Sequence, residues 1–287
     1  MSRSPVGGTE LMPDIRLVPV VAVAFHEQPE AARTQRLMAR IRDDAFLRNP
    51  PIVADMGEHG YLLLDGANRV SAFRDLGFAR IPVQVVDYAD ERILLKAWHH
   101  LVLQGKSLDL HGLYGAMDQV NLRPVRASAL SNLLEFRQVF GILVDSDTAM
   151  WGLFPRGAAA MSVQDRNAVL HRIVAAYEGR SDLERIKLSD FALLPDVVRT
   201  VEHQLVLFPA FTKEELLLLA QQRAMIPTGI TRHLIPGRAL GLNLDLAFLR
   251  ELPTEAEQQA HLQRFLDQLE MHGRIRFYEE SIFVMNE

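Results

Sequence analysis

The sequence predicts a mixed α/β (α+β) protein. Three observations carry that expectation. Short apolar runs such as Tyr61–Leu64 and Ile81–Val86 have the length and the Val, Ile and Leu content of buried strands. Other stretches, Glu30–Phe46 first among them, repeat apolar residues at three- and four-residue steps, the pattern of amphipathic helices. The two kinds alternate as β, α, β, β, α, β within residues 15–90, on the scale of one compact α/β unit. The 287 residues, 48% hydrophobic and 23% charged, suffice for two globular domains or one large one.

Each element has a local reason. Residues 1–14 (MSRSPVGGTELMPD) lack the apolar core of a signal peptide and read as a flexible leader. Ile15–Phe25, rich in Val, reads as one strand or two parted near Pro19, and His26-Glu27-Gln28-Pro29 as a turn. In the following helix Leu37, Ile41 and Ala45 share a face, while Arg33, Arg36, Arg40 and Arg42 form a solvated one. Asn49-Pro50-Pro51 ends that element and opens a strand at Ile52–Ala54. The run Tyr61–Leu64 is broken by Asp65-Gly66; from Asn68 onward Val70, Phe73 and Leu76 follow at helical spacing, and Gly77 closes the helix. The strand Ile81–Val86 has Pro82 near its start.

Beyond residue 90 the pattern predicts a helix over Glu91–Leu103, with His99 and His100 an exposed pair beside a core Trp98, the alternative being that one of them faces the cleft. Helices follow near Leu110–Val120 and Ala127–Phe136, then two strands, Phe140–Val144 and Met150–Phe154, joined across an acidic turn. Ser162-x-x-Asp165, Thr212-x-x-Glu215 and Thr254-x-x-Glu257 are capping-box patterns that mark three later helix starts. Strands are expected at Glu184–Leu188, Val197–Leu207, Arg274–Tyr278 and Ser281–Met285, the last two around Glu279-Glu280. With no Gly/Ser linker, residues 91–287 are expected to form a second α/β part packed tightly on a first domain, 15–90.

Two stretches carry chemistry. In the first, a tight turn delivers Asp65, Gly66, Ala67, Asn68 and Arg69 to a helix start, where amides without internal partners and the helix dipole favour an anion. Gly66 lets the backbone approach a ligand, Arg69 offers a planar fork suited to phosphate, and Asp65 is a candidate ligand for Mg²⁺. In the second, Ala224–Leu244, Pro227, Gly229, Pro236, Gly237 and Gly241 forbid a long helix and display Thr231, Arg232, His233 and Arg238. Hydroxyl, guanidinium and imidazole groups on such a loop suit a phosphate or carboxylate clamp. Glu27, in a turn after a strand, can point into a cleft and is the candidate general base; the alternative is that it merely favours the next helix's N-terminus.

The stretch Asp65-Gly66-x-x-Arg69, followed by a helix, Leu76-Gly77 and Ile81-Pro82-Val83, resembles the ParB/sulfiredoxin-type nucleotide-binding fold. Within it the chain is most similar to the free L-serine kinases, including the siderophore-cluster enzymes that form O-phospho-L-serine. Glu27 stands where that family has its catalytic Glu. Asn49-Pro50-Pro51-Ile52-Val53 stands where it has an Asn-Pro-Ile-Val element, and Thr231-Arg232 matches a Pro-x-x-x-Thr-Arg loop. The resemblance covers residues 15–90 well and the remainder loosely. It implies phosphoryl transfer from ADP or ATP, with Mg²⁺, to the hydroxyl of L-serine. The family often has His residues where this chain has Ala67 and Asn68, so imidazole roles there do not carry over.

Composition narrows the alternatives. The chain has no cysteine, which excludes disulfides, thiolate metal sites and sulfiredoxin chemistry. No apolar stretch is long enough to span a bilayer, and a cytoplasmic location is expected. With 31 Lys plus Arg against 36 Asp plus Glu, the formal charge of −5 counts against a nucleic-acid partner. The expected partners are a small amino acid and a nucleotide. A ParB-like DNA-binding regulator is the alternative, with Thr212–Leu234 as its helix-turn-helix, although Pro227, Gly229 and Pro236 would disrupt a recognition helix. A non-catalytic ligand sensor is a further alternative.

Overall fold

In the first of two units, a five-stranded mixed sheet runs in the order Asp14–Pro19, Arg80–Val86, Ile52–Asp55, Tyr61–Asp65, Val23–Ala24. The computed structural model describes residues 12–104, 106–157, 161–188, 194–198, 202–278 and 282–285. The expected leader falls largely on residues 1–11, which lie outside them, as do Glu279 and Glu280 between the two expected C-terminal strands. The unit comprises residues 1–94 and 233–287; the other unit comprises 95–232. The C-terminal segment therefore belongs with the N-terminal one, and residues 91–287 do not form a single part as the sequence predicts.

Alternation along the strands gives the first sheet two apolar faces. One face, through Val18, Val53, Leu63, Ile81 and Val83, packs on Met38 and Ile41 of the helix Ala31–Asp44 and on Val70, Ala72 and Phe73 of the helix Ala67–Asp75. The other, through Ile15 and Leu17, packs on Ala239, Leu242 and Leu244 and on Leu262, Leu266 and Leu269 of the helix Glu255–Met271. A small sheet, Arg238–Leu240, Ile282–Met285, Ile275–Tyr278, belongs to this side. The β, α, β, β, α, β order expected for residues 15–90 is present, with short extra strands beside it.

The second unit is built on a six-stranded antiparallel sheet: Leu183–Ile186, His99–Val102, Gln204–Leu207, Gly141–Val144, Met150–Pro155, Val120–Pro124. Val102, Leu143, Leu153 and Val206 pack on the helices Val163–Ala175 and Lys213–Gln221. Leu101, Ile142, Val144, Leu205 and Leu207 face the helix Leu130–Glu135 on the opposite side. All three capping patterns are formed: Ser162, Thr212 and Thr254 each accept a hydrogen bond from the amide three residues on. After Lys213–Gln221 the chain continues into extended structure rather than a second helix, so Thr212–Leu234 is not a helix-turn-helix.

Three expected elements differ. The helix expected over Leu110–Val120 stops at Gly115, and Val120–Pro124 is a strand. Val197–Leu207 is not one strand; a short helix Leu194–Val197 precedes the strand Gln204–Leu207. The expected helix Glu91–Leu103 is two strands, Leu94–Ala97 and His99–Val102. His99-His100-Leu101-Val102 is buried on both sides of a central strand, and such a run has no readable period. The histidines are correspondingly buried, not exposed. His99 Nδ1 accepts from the Phe208 amide at 3.2 Å. His100 bridges the Tyr177 hydroxyl (Nδ1, 2.8 Å) and the Gly229 carbonyl (Nε2, 2.9 Å). Because a carbonyl only accepts, Nε2 carries the proton and Nδ1 accepts from Tyr177.

Burial lowers the pKa of each of these histidines to about 4, with the neighbouring His100 adding to the effect at His99. Between that value and the ordinary 6.5 the unfolded chain binds more protons than the folded one. Stability is therefore fully present above pH 6.5 and is lost as pH falls toward 4, by on the order of 3 kcal/mol per histidine. Calorimetric melting from pH 7 to 4 is expected to show this fall. His100→Asn should flatten its slope while lowering the melting temperature at pH 7, because the longer reach to Tyr177 and Gly229 is lost; an unchanged slope would count against the buried neutral pair.

Candidate active site

The first-unit site grows from the strand Tyr61–Asp65 and the helix Ala67–Asp75. Gly66 joins them with φ 101° and ψ 30°, a left-handed conformation that side chains disfavour. Its carbonyl accepts from the Arg69 and Val70 amides at 2.9 and 3.1 Å, so the helix begins at once after the turn. Helix geometry leaves the amides of Ala67 and Asn68 without a partner four residues back. A Cβ on Gly66 would lie 3.0 Å from the Arg69 guanidinium, which folds back over the turn.

Arg69 is turned into the protein. Nη1 donates to the carbonyls of Asn49 and Pro50, both at 2.8 Å, and Nη2 to Asp65 Oδ2 at 2.9 Å. The planar fork expected to hold phosphate is thus largely engaged with the chain itself. Asp65 Oδ2 also accepts from Arg238 Nη2. Burial alone would raise the Asp65 carboxyl, but the Arg69 and Arg238 charges outweigh it and hold its pKa below the usual carboxylate range. The trio carries one net positive charge. Arg238 Nε is buried with no hydrogen-bond partner. Arg69 spends three of its five N–H donors on the chain, and Arg238 is the more exposed of the two guanidiniums.

Neighbouring side chains fix this arrangement. Asn68 Oδ1 accepts from the Glu30 amide (2.9 Å) and the Thr34 hydroxyl (3.1 Å), which ties the segment after Glu27 to the turn. Glu27 itself is partly exposed and follows His26, whose Nδ1 donates to the Leu63 carbonyl at 2.6 Å. Burial lowers the His26 pKa against the opposing pull of Glu27, so this imidazole is neutral. Asn49 Oδ1 accepts from the Gly241 amide at 2.8 Å. His233 Nε2 meets the Tyr88 hydroxyl at 2.9 Å, and its ring stands edge-on to His26, centroids 5.4 Å apart.

The second sequence stretch is divided. His233 and Arg238 join the first-unit site, whereas Thr231 and Arg232 belong to the second unit. There Thr231 is buried, and Arg232 lies 5.0 Å from the Trp98 ring centroid, a cation–π contact. Asp65 does not fit the Mg²⁺ role in this arrangement: two guanidiniums already neutralise its carboxylate, and a third cation against it would be repelled. Among the described residues no group of three or more His, Asp or Glu could hold a metal ion.

Sequence reasoning missed Gln84 and Tyr88. Gln84 is 3% exposed in the otherwise apolar strand Arg80–Val86, and a lone amide inside such a run is a signal in itself. Tyr88, just past that strand, had no readable signal.

No family model matches the chain. It is 25% identical over 275 residues to the ATP-dependent L-serine kinase SbnI of Staphylococcus aureus, covering 95% of this chain and 97% of that protein. This chain resembles the L-serine kinases. The ADP-dependent L-serine kinase SerK of Thermococcus kodakarensis is 21% identical over 213 residues, 74% of this chain and 83% of that protein. A structure of C-terminally truncated SbnI shares the fold, with a TM-score of 0.70 at 24% identity, over 88% of this chain and 96% of that one. No helix among the described residues is long and apolar enough to cross a membrane.

The contact between Gly66 and Arg69 is testable. Gly66→Ala should cost more than the roughly 1–2 kcal/mol of a left-handed residue, because Arg69 must also move. Gly77, at φ 75° with open space around its Cβ position, supplies the control. Urea unfolding should show a larger loss for Gly66→Ala than for Gly77→Ala; equal losses would show that Arg69 does not press on the turn.

Proposed function

We propose that this protein is a kinase that moves a phosphoryl group from a nucleotide to the hydroxyl of free L-serine, giving O-phospho-L-serine. The observation that carries this reading is the similarity to an L-serine kinase along 95% of the chain. The site chemistry agrees with it. Phosphoryl transfer needs positioning and charge neutralisation more than covalent help. Helix-start amides at Ala67 and Asn68 and the Arg238 guanidinium supply an anion site at the strand–turn–helix. Arg69 shapes that site by holding the turn. Thr231 and Arg232 are proposed as substrate-binding residues.

Glu27 is proposed as the general base. A bond forms between the serine oxygen and phosphorus as the bond from phosphorus to the nucleotide's leaving oxygen breaks. The leaving oxygen keeps the electron pair, and the hydroxyl proton passes to the Glu27 carboxylate. The relatives are named as ATP-dependent and ADP-dependent, so both donors belong in the assay. A cytoplasmic location fits a chain without cysteine that draws on nucleotide.

Incubation with L-serine, Mg²⁺ and either ATP or ADP should yield phosphoserine, detected by mass. No product with either donor would overturn the reading. Glu27→Gln should lower turnover by roughly 10²–10⁴-fold with the fold intact. Glu30→Gln should leave the rate near that of the parent, since Glu30 offers its amide, not its carboxylate, to Asn68. A fully active Glu27→Gln protein would remove Glu27 from the mechanism.

A further inference from the structure

We propose that Gln84 is a positioning residue that holds Arg238 in place on Asp65. Gln84 lies in the strand Arg80–Val86, opposite Ile15 on one side and Ile52 on the other. Its backbone amide is already satisfied by the Pro51 carbonyl at 2.8 Å. Its side chain faces the same apolar layer as Ile15, where a buried amide is costly unless both ends are bonded.

Both ends are bonded, to the two residues that flank Arg238. Nε2 donates to the Gly237 carbonyl, and Oε1 accepts from the Ala239 amide, each at 2.9 Å. The side chain thus acts as one more rung of strand hydrogen bonding. It fixes the peptide planes before and after Arg238, whose Nη2 reaches Asp65. The requirement is specific. A glutamate would set a carboxylate against the Gly237 carbonyl, and a methionine of similar length would leave a buried carbonyl and a buried amide unpaired. An ordinary core position would carry Val or Ile, like Val83 and Val85 beside it.

The role for Gln84 in turnover rests on the kinase reading, whereas its hold on Arg238 does not, so two readouts are used. The first is the titration of the Asp65 carboxyl, followed by carbon NMR in the full chain. Gln84→Met should raise its midpoint, as Arg238→Met does, because a guanidinium has left the carboxylate. The double variant should add nothing further. The second readout is L-serine phosphorylation. Gln84→Met should lower kcat/KM by roughly 10- to 100-fold, again without a further loss in the double variant.

A residue that merely stabilises the fold would lower the melting temperature, leave the Asp65 midpoint unchanged and give multiplicative losses with Arg238→Met. Either of the last two results would overturn the proposal. Gln84→Asn keeps the amide but falls one methylene short of both partners, and serves as a second variant with the same expected shift. Failure of the parent protein to phosphorylate serine would remove the kinase reading and leave the Asp65 titration to decide the role of Gln84.

Discussion

One carboxylate oxygen, Oδ2 of Asp65, is shared by two guanidiniums. Through Arg69 it reaches the carbonyls of Asn49 and Pro50; through Arg238 it reaches the loop that Gln84 holds. Three stretches distant in sequence therefore meet on one negative charge. Partial burial makes each separate ion costly, and both guanidiniums offset that cost by sharing the one carboxylate oxygen. The positive charge left over is what an anion would find. Arg69 braces the scaffold through the Asn49 and Pro50 carbonyls, while Arg238 is the more exposed of the two guanidiniums.

Much of this was legible in the sequence, for local reasons. The run Tyr61–Leu64, the break at Asp65-Gly66 and the helical spacing of Val70 and Phe73 placed the turn correctly. The capping boxes at Thr212 and Thr254 were readable because the hydroxyl and the carboxylate that close them are three residues apart. What stayed hidden depends on distant partners. His99 and His100 look like an exposed pair until Phe208, Tyr177 and Gly229 close around them. No local rule says that Arg69 will fold inward onto carbonyls at residues 49 and 50. Likewise, nothing near Arg238 shows that its partner is residue 65. Only Gln84 left a trace, as a polar residue in the run Ile81–Val86.

The buried histidines of the second unit show a different use of the same side chain. His100 donates to a carbonyl with one nitrogen and accepts from a hydroxyl with the other, and only the neutral imidazole can do both. His26 in the first unit is likewise kept neutral, with the Leu63 carbonyl as its partner. Imidazoles in this chain are building material at least as often as they are candidates for chemistry.

The division of the first unit into residues 1–94 and 233–287 has a consequence for synthesis. On the ribosome, Asp65 and Arg69 emerge long before Arg238, with the whole of the second unit translated between them. The nascent first segment therefore holds its carboxylate with one guanidinium, and the sheet face that carries Ile15, Leu17 and Gln84 waits without its cover. The intervening segment has its own sheet and its own cores, and can collapse in that interval. The proposed anion site can therefore form only after residue 238 has been made, and an incomplete chain that already carries Asp65 and Arg69 would lack it.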